Sequence, residues 1–228
     1  MDKKILTGQI ETHLTKLPHS EKLVHKEIVA DFIKLAAEAK KDGFDLQVIS
    51  GFRSYEQQVN IWNRKALGKR ALLDSDGHPL DYDKLKPKEI VAAIMRWSAI
   101  PGASRHHWGT EIDVFDGNGL EASQVQLTPQ EVASDGPMGQ LHLWLDERIQ
   151  NNLSFGFFRP YEIDNGGVAP EKWHLSYAPV SNNYTQAYSL EVFKENIENS
   201  QIELKEILLK NLKYYYEQYV INICTSPF

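Results

Sequence analysis

Three short segments of this 228-residue chain hold residue types whose spacing suits chemistry better than packing. The first is Ser104-x-His106-x-x-Gly109-x-x-x-Asp113, with a second imidazole at His107. The second is Glu171-x-x-His174. The third runs Ser50-Gly51-Phe52-Arg53-Ser54, with Gln58 farther along. Asp113 sits between Ile112 and Val114, where a carboxylate is costly unless it is paired or bound to metal. A catalytic zinc takes three protein ligands from His and carboxylate and leaves a fourth position open. Asp113, His174 and one of His106 or His107 make such a set, and their chemistry does not choose between the two imidazoles. Two imidazoles and one carboxylate suit Zn2+. Glu171 is the candidate base, because water activated by such a metal has a pKa near ~7 and a neighbouring carboxylate can take its proton. In an extended segment Glu171 and His174 would point to opposite faces, so a turn at Pro170-Glu171 is required. Arg53, placed where a helix begins, offers a fork of donors to a carboxylate or a developing oxyanion.

The elements that carry these segments can be read from periodicity. Residues 20–40 are expected to form one amphipathic helix, capped by Ser20, with Leu23, Val24, Ile28, Phe32, Leu35 and Ala36 on one face. Phe44, Leu46 and Val48 alternate as in a strand, which Ser50-Gly51 ends. Ser54 is placed to cap a helix reaching about Leu67. Residues 68–87 read as a long surface excursion, and Pro87 opens a helix to about Ala99. Residues 110–115 read as a strand with Ile112 and Val114 on one side and Glu111 and Asp113 on the other. Thr128-Pro129-Gln130-Glu131 has capping-box spacing and predicts a short helix. Leu141, Trp144, Leu145 and Ile149 mark another helix. Residues 155–161 and 173–177 read as strands joined by a Gly166-Gly167 loop, which would shape a cleft or only a tight turn. Residues from 190 to about 216 read as helical, and Tyr219, Ile221 and Ile223 as a last strand or a docked tail. Helices and strands mix without a βαβ rhythm, so the expected class is α+β with a small, mainly antiparallel sheet. A single domain is expected, with a helical region at 1–43, a catalytic core at 44–178 and a helical extension at 185–228.

The net charge of -6 and the lack of a basic patch argue against nucleic acid as a partner. The run Arg64, Lys65, Lys69, Arg70 is expected at a helix end, where cations suit the dipole. Cys224 is the only cysteine, so there is no internal disulfide and no multi-cysteine metal site. No stretch approaches the ~20 apolar residues of a membrane span. No apolar run of ~7–15 residues follows Met1 as a secretory leader would, so the expected location is the cytoplasm, or the periplasm for a chain trimmed of a leader.

Taken together, the three segments resemble the zinc carboxypeptidase family typified by VanY. Its superfamily also holds the VanX-type D,D-dipeptidases and the hedgehog signalling domain. The pattern Ser-Gly-aromatic-Arg-Ser, Ser-x-His-x-x-Gly-x-x-x-Asp and Glu-x-Trp-His is present complete and in order. The resemblance implies that His106, rather than His107, joins Asp113 and His174 around zinc, which leaves His107 to line the cleft or to pack. It also implies that Glu171 is the general base, that Arg53 stabilises the carbonyl oxygen, and that Ser104 and Gln58 contact the substrate's C-terminal residue. The implied substrate is a peptidoglycan stem peptide that loses D-alanine. Without a leader, an L,D-carboxypeptidase acting on murein tetrapeptides in recycling is expected. The alternatives are a D,D-carboxypeptidase on pentapeptides, a murein endopeptidase and a non-catalytic zinc-binding domain. A structural zinc would need neither Glu171 nor Arg53, which argues against the last. The oligomeric state is left open, as is whether the 68–87 excursion and the C-terminal extension wall the cleft or only pack.

Overall fold

Alternation of polar and apolar side chains between Glu111 and Asp116 organises the molecule. The computed structural model describes residues 1–227. Its helices, in chain order, are α1 (Lys3–Leu6), α2 (Val29–Lys41), α3 (Tyr55–Ala66), α4 (Pro87–Trp97), α5 (Gly139–Gln150), α6 (Ala178–Ala187), α7 (Leu190–Asn199), α8 (Lys205–Lys210) and α9 (Leu212–Tyr219). Its strands are β1 (Leu14–Lys16), β2 (Leu23–His25), β3 (Leu46–Ser50), β4 (Glu111–Asp116), β5 (Phe157–Phe158) and β6 (His174–Tyr177). β1 and β2 form a small antiparallel pair, and the other four strands form an antiparallel sheet ordered β3-β4-β6-β5. The class is the α+β arrangement expected from the sequence.

Every residue of β4 is buried, so both faces of this central strand are covered. One face carries Ile112 and Val114, which join Leu175, Leu35, Leu141 and Leu145 in the main core. The other face carries Glu111, Asp113 and Phe115. Register places Asp113 opposite His174 and Glu111 opposite Ser176, so four buried polar side chains share one surface. Phe115 closes that surface with Val132, Met138 and Trp173 in a second, smaller apolar cluster.

Four local expectations are corrected by tertiary context. Residues 23–25 are strand β2, not the start of the helix, and α2 begins only at Val29. The Leu23 carbonyl accepts from Phe52 and the His25 N–H donates to the Gly109 carbonyl, both at 2.7 Å, which commits this backbone outside a helix. Ser20 caps nothing; its hydroxyl accepts from the Lys22 N–H. Glu131 does reach back to the Thr128 N–H at 3.0 Å, but no helix follows. The chain instead folds back, with the Met138 N–H donating to the Glu131 carbonyl. The strand at 155–161 shrinks to β5, because Phe155 and Gly156 both take positive φ. The segment after Tyr219 is a docked tail, held where the Cys224 N–H donates to the Pro160 carbonyl at 2.8 Å.

Candidate metal centre and its cleft

Gly109 makes the centre geometrically possible. After the 3-10 turn Arg105–Trp108, Gly109 adopts φ 69° and swings the chain into β4. A Cβ there would lie 2.8 Å from the His25 backbone nitrogen, so the position needs glycine for both conformation and space. The turn sets His106 over Asp113, and strand pairing sets His174 beside it. His106 donates its Nδ1–H to the Gly51 carbonyl at 2.8 Å, which frees Nε2, 3.3 Å from Asp113 Oδ2. His174 Nδ1 lies 3.1 Å from Asp113 Oδ1. The two rings meet edge to face, with centroids 4.8 Å apart.

These three buried side chains place their donor atoms within 4.8 Å of one another. Two ligands held at ~2.1 Å from a tetrahedral zinc would lie ~3.4 Å apart, close to the separations seen here. The donor set therefore fits one such ion. The other nitrogen of His174, Nε2, lies 3.1 Å from Glu111 Oε2. Glu111 is fully buried, is paired with Arg105 at 3.0 Å and accepts from the Ser176 hydroxyl at 2.8 Å. A ligating imidazole commonly donates its second N–H to a carboxylate, which fixes its tautomer and orientation. The sequence reading missed this role. Its available signal was that Glu111 alternates onto the same face as Asp113.

Charge in this pocket is strongly coupled. Burial works against charge on His174, but the hydrogen bonds and charges of Asp113 and Glu111 outweigh it and push the imidazole up to about 10. Burial also works against ionising Asp113, yet His106 and His174 hold its carboxyl far below the usual range. Asp113 thus attracts positive charge to the spot where a cation would sit, while Glu111 holds the far side of the His174 ring.

Glu171 comes round by the required turn: the His174 N–H donates to the Glu171 carbonyl at 3.1 Å, and the Glu171 N–H donates to the Tyr161 carbonyl at 2.9 Å. Its Oε2 stands 3.7 Å from His174 Nδ1. Burial raises this carboxyl to about 7, with the Asp113 charge adding to the effect. A carboxyl at that value exchanges protons readily near neutrality.

Arg53 enters the same cleft from the start of α3. Ser54 caps that helix through a full capping box with Gln57, as its spacing predicts. The Arg53 guanidinium donates to Gln58 Oε1 at 3.0 Å, and Gln58 Nε2 donates to the Ala99 carbonyl at 2.7 Å. Gln58 is therefore not brought into the cleft. It is fully buried behind Arg53, where both ends of its amide are occupied. Ser104 does line the cleft. His107 is no ligand: its Nδ1–H donates to the Arg53 carbonyl at 2.6 Å, and its Nε2 accepts from the Gly102 N–H at 3.0 Å.

Arg70 and Leu73 bring the 68–87 excursion to the cleft wall, and Val168 brings the loop after Gly166-Gly167. The C-terminal extension packs behind α3, where the Trp62 indole donates to the Glu203 carbonyl at 2.9 Å.

Among solved structures the fold is shared with VanYB in complex with D-alanine-D-alanine, at TM-score 0.53 and 23% identity, covering 85% of this chain and 92% of that one. It is also shared with the LdcB LD-carboxypeptidase, at TM-score 0.52 and 22% identity, covering 92% and 80%. The VanY family profile, described as D-alanyl-D-alanine carboxypeptidase, matches residues 21–180. The chain belongs to that family. An uncharacterized protein of Haemophilus influenzae is 33% identical over 125 residues, which is 54% of this chain and 93% of that protein. A D-alanyl-D-alanine carboxypeptidase of Enterococcus faecalis is 27% identical over 195 residues, 82% of this chain and 61% of that protein.

Proposed function

We propose that this protein is a zinc-dependent carboxypeptidase that removes the C-terminal D-alanine from peptidoglycan stem peptides. The observation that carries the reading is Glu171, a partly buried carboxyl 3.7 Å from His174 Nδ1, standing beside the donor set His106, Asp113 and His174. A bound zinc would polarise the scissile carbonyl and supply a nucleophile at neutral pH. Glu171 takes a proton from the attacking water and returns it to the leaving amine. Arg53, steadied by Gln58, directs its free donors at the oxygen that gains charge. Ser104 offers a hydroxyl to the peptide on the same wall.

Two substrates fit this chemistry and differ in length and in the residue that contributes the scissile carbonyl, the L-centre of a diamino acid in one and a D-alanine in the other. The L,D reading takes a murein tetrapeptide in recycling. The D,D reading takes a pentapeptide, and membership of a D-alanyl-D-alanine carboxypeptidase family favours it. The test incubates the protein with both peptides, with and without a chelator, and follows release of D-alanine. Chelator-sensitive release from at least one peptide is expected, and release from neither rejects the proposal. Glu171→Ala is expected to keep its zinc and lose at least a thousandfold in turnover. Loss of zinc from that variant would remove Glu171 from the role of base.

A further inference from the structure

Lys65 is a buried cation that the proposed reaction does not use. It lies in the last turn of α3, is 7% exposed and faces the cleft that holds His106, Asp113 and Glu171. One of its three N–H donors goes to the Ser98 hydroxyl at 2.8 Å. Among the described residues no carboxylate stands within ion-pair distance of it. A buried charge without a partner is costly, and burial pulls this ammonium down to about 8. The cost is unexplained by packing, since an apolar side chain of similar length would fill the same space.

The neighbourhood is biased the same way. Arg53 and Arg70 line the cleft with Lys65, and neither is ion-paired among the described residues. On α3, Ile61 and Lys65 are four residues apart and share the face turned to the cleft. The acidic groups of the cleft are gathered instead at the metal centre. Asp113 lies against both imidazoles, and Glu171 lies next to His174. The cleft is therefore polarised, with a cation-binding centre and, beside Arg53, two further cations without a carboxylate at ion-pair distance, Glu171 acting on Lys65 only from farther off.

We propose that Lys65, flanked by Arg70, binds the free α-carboxylate of the substrate's C-terminal residue. The inference rests on the carboxypeptidase reading above. In such a substrate the bond to be cut is one residue away from a carboxylate, so an anion must enter the cleft whenever the scissile carbonyl reaches the metal centre. Arg53 is committed to the carbonyl oxygen. Lys65 supplies the remaining desolvated charge, and its ammonium has two donors to give. The pairing makes removal of a single terminal residue favourable and leaves internal bonds, which bring no carboxylate to that position, poorly bound.

The test uses the zinc-loaded full chain and three versions of one D-alanine-terminated stem peptide. One has a free C-terminus, one ends in D-alaninamide, and one keeps the free C-terminus but has its glutamyl α-carboxylate amidated. The wild-type protein is expected to cleave the free acid at least twentyfold better in kcat/KM than the D-alaninamide, and to tolerate glutamyl amidation within about threefold. Lys65→Met is expected to raise KM for the free acid at least tenfold and to bring the acid-to-amide ratio close to one, with Lys65→Arg restoring most of the preference. Equal cleavage of acid and amide by the wild type overturns the inference without any variant. An unchanged acid-to-amide ratio in Lys65→Met overturns it too, as does a Lys65-dependent effect of glutamyl amidation. Absence of cleavage of every peptide rejects the carboxypeptidase reading itself, and this inference with it.

Discussion

At the scale of single residues, the site is organised by what each polar atom is already bonded to. Both nitrogens of His107 are occupied by backbone groups, whereas His106 spends only Nδ1 on Gly51 and keeps Nε2 for the centre. Glu111 holds His174 from behind, and its own charge is answered by Arg105. Arg105 is the chief attraction that draws the Glu111 carboxyl down to about 2 against the opposing effect of burial, so it is ionised at any working pH. Replacing Glu111 by Gln keeps the shape but removes that charge. Zinc affinity, measured by competition with a chromogenic chelator, is expected to fall ~10–100-fold in Glu111→Gln. An unchanged affinity would mean that Asp113 and strand pairing orient His174 unaided.

At the scale of elements, two devices aim the side chains of the candidate site. Pairing of β4 with β6 sets Asp113 and His174 side by side, so the strand ladder builds two-thirds of the donor set. The capping box at Ser54 fixes where α3 begins, and Arg53 is the residue just before it. Ser54→Ala removes a side-chain acceptor from the first turn and is expected to cost about 1 kcal/mol of stability. The check is a denaturant titration, with a midpoint unchanged from wild type as the contrary result. The same variant should also lower turnover, because the anchor of Arg53 frays with the helix end.

At the scale of the whole molecule, burial of neutral histidines makes stability depend on pH. Burial lowers His107 to about 3, His142 to about 3 and His13 to about 4. An unfolded histidine titrates near ~6.5. Between those values the unfolded chain binds more protons than the folded one, so folding weakens as the pH falls. The stabilisation is complete above ~6.5 and is lost progressively towards pH 4 and below. His107 shows why: a second ring proton would displace the N–H of Gly102 from Nε2. Glu171 opposes this trend, since its raised carboxyl favours the folded state at low pH, but it is one group against three. Denaturant midpoints measured from pH 7 to pH 4 are expected to decline steadily. A flat profile would show that these imidazoles accept protons in the folded state.

The sequence by itself determined the side-chain types of the candidate donors, the motif glycine, the capped start of α3 and the alternation that separates core from site on β4. Each of those depends on neighbours within a few residues, where side-chain period and backbone preference act directly. It misjudged residues 23–25, 128–131 and 155–161, because hydrogen bonds or backbone conformations set by the surrounding chain overrode local pattern there. Gln58 and Glu111 were decided only by the tertiary structure. One turned from the cleft to hold Arg53, and the other proved to brace His174 across strands 63 positions apart in the chain. Hydrogen-bond capacity is a property of the residue, but which partner uses it is fixed by packing, and packing brings together atoms that the order of residues keeps apart.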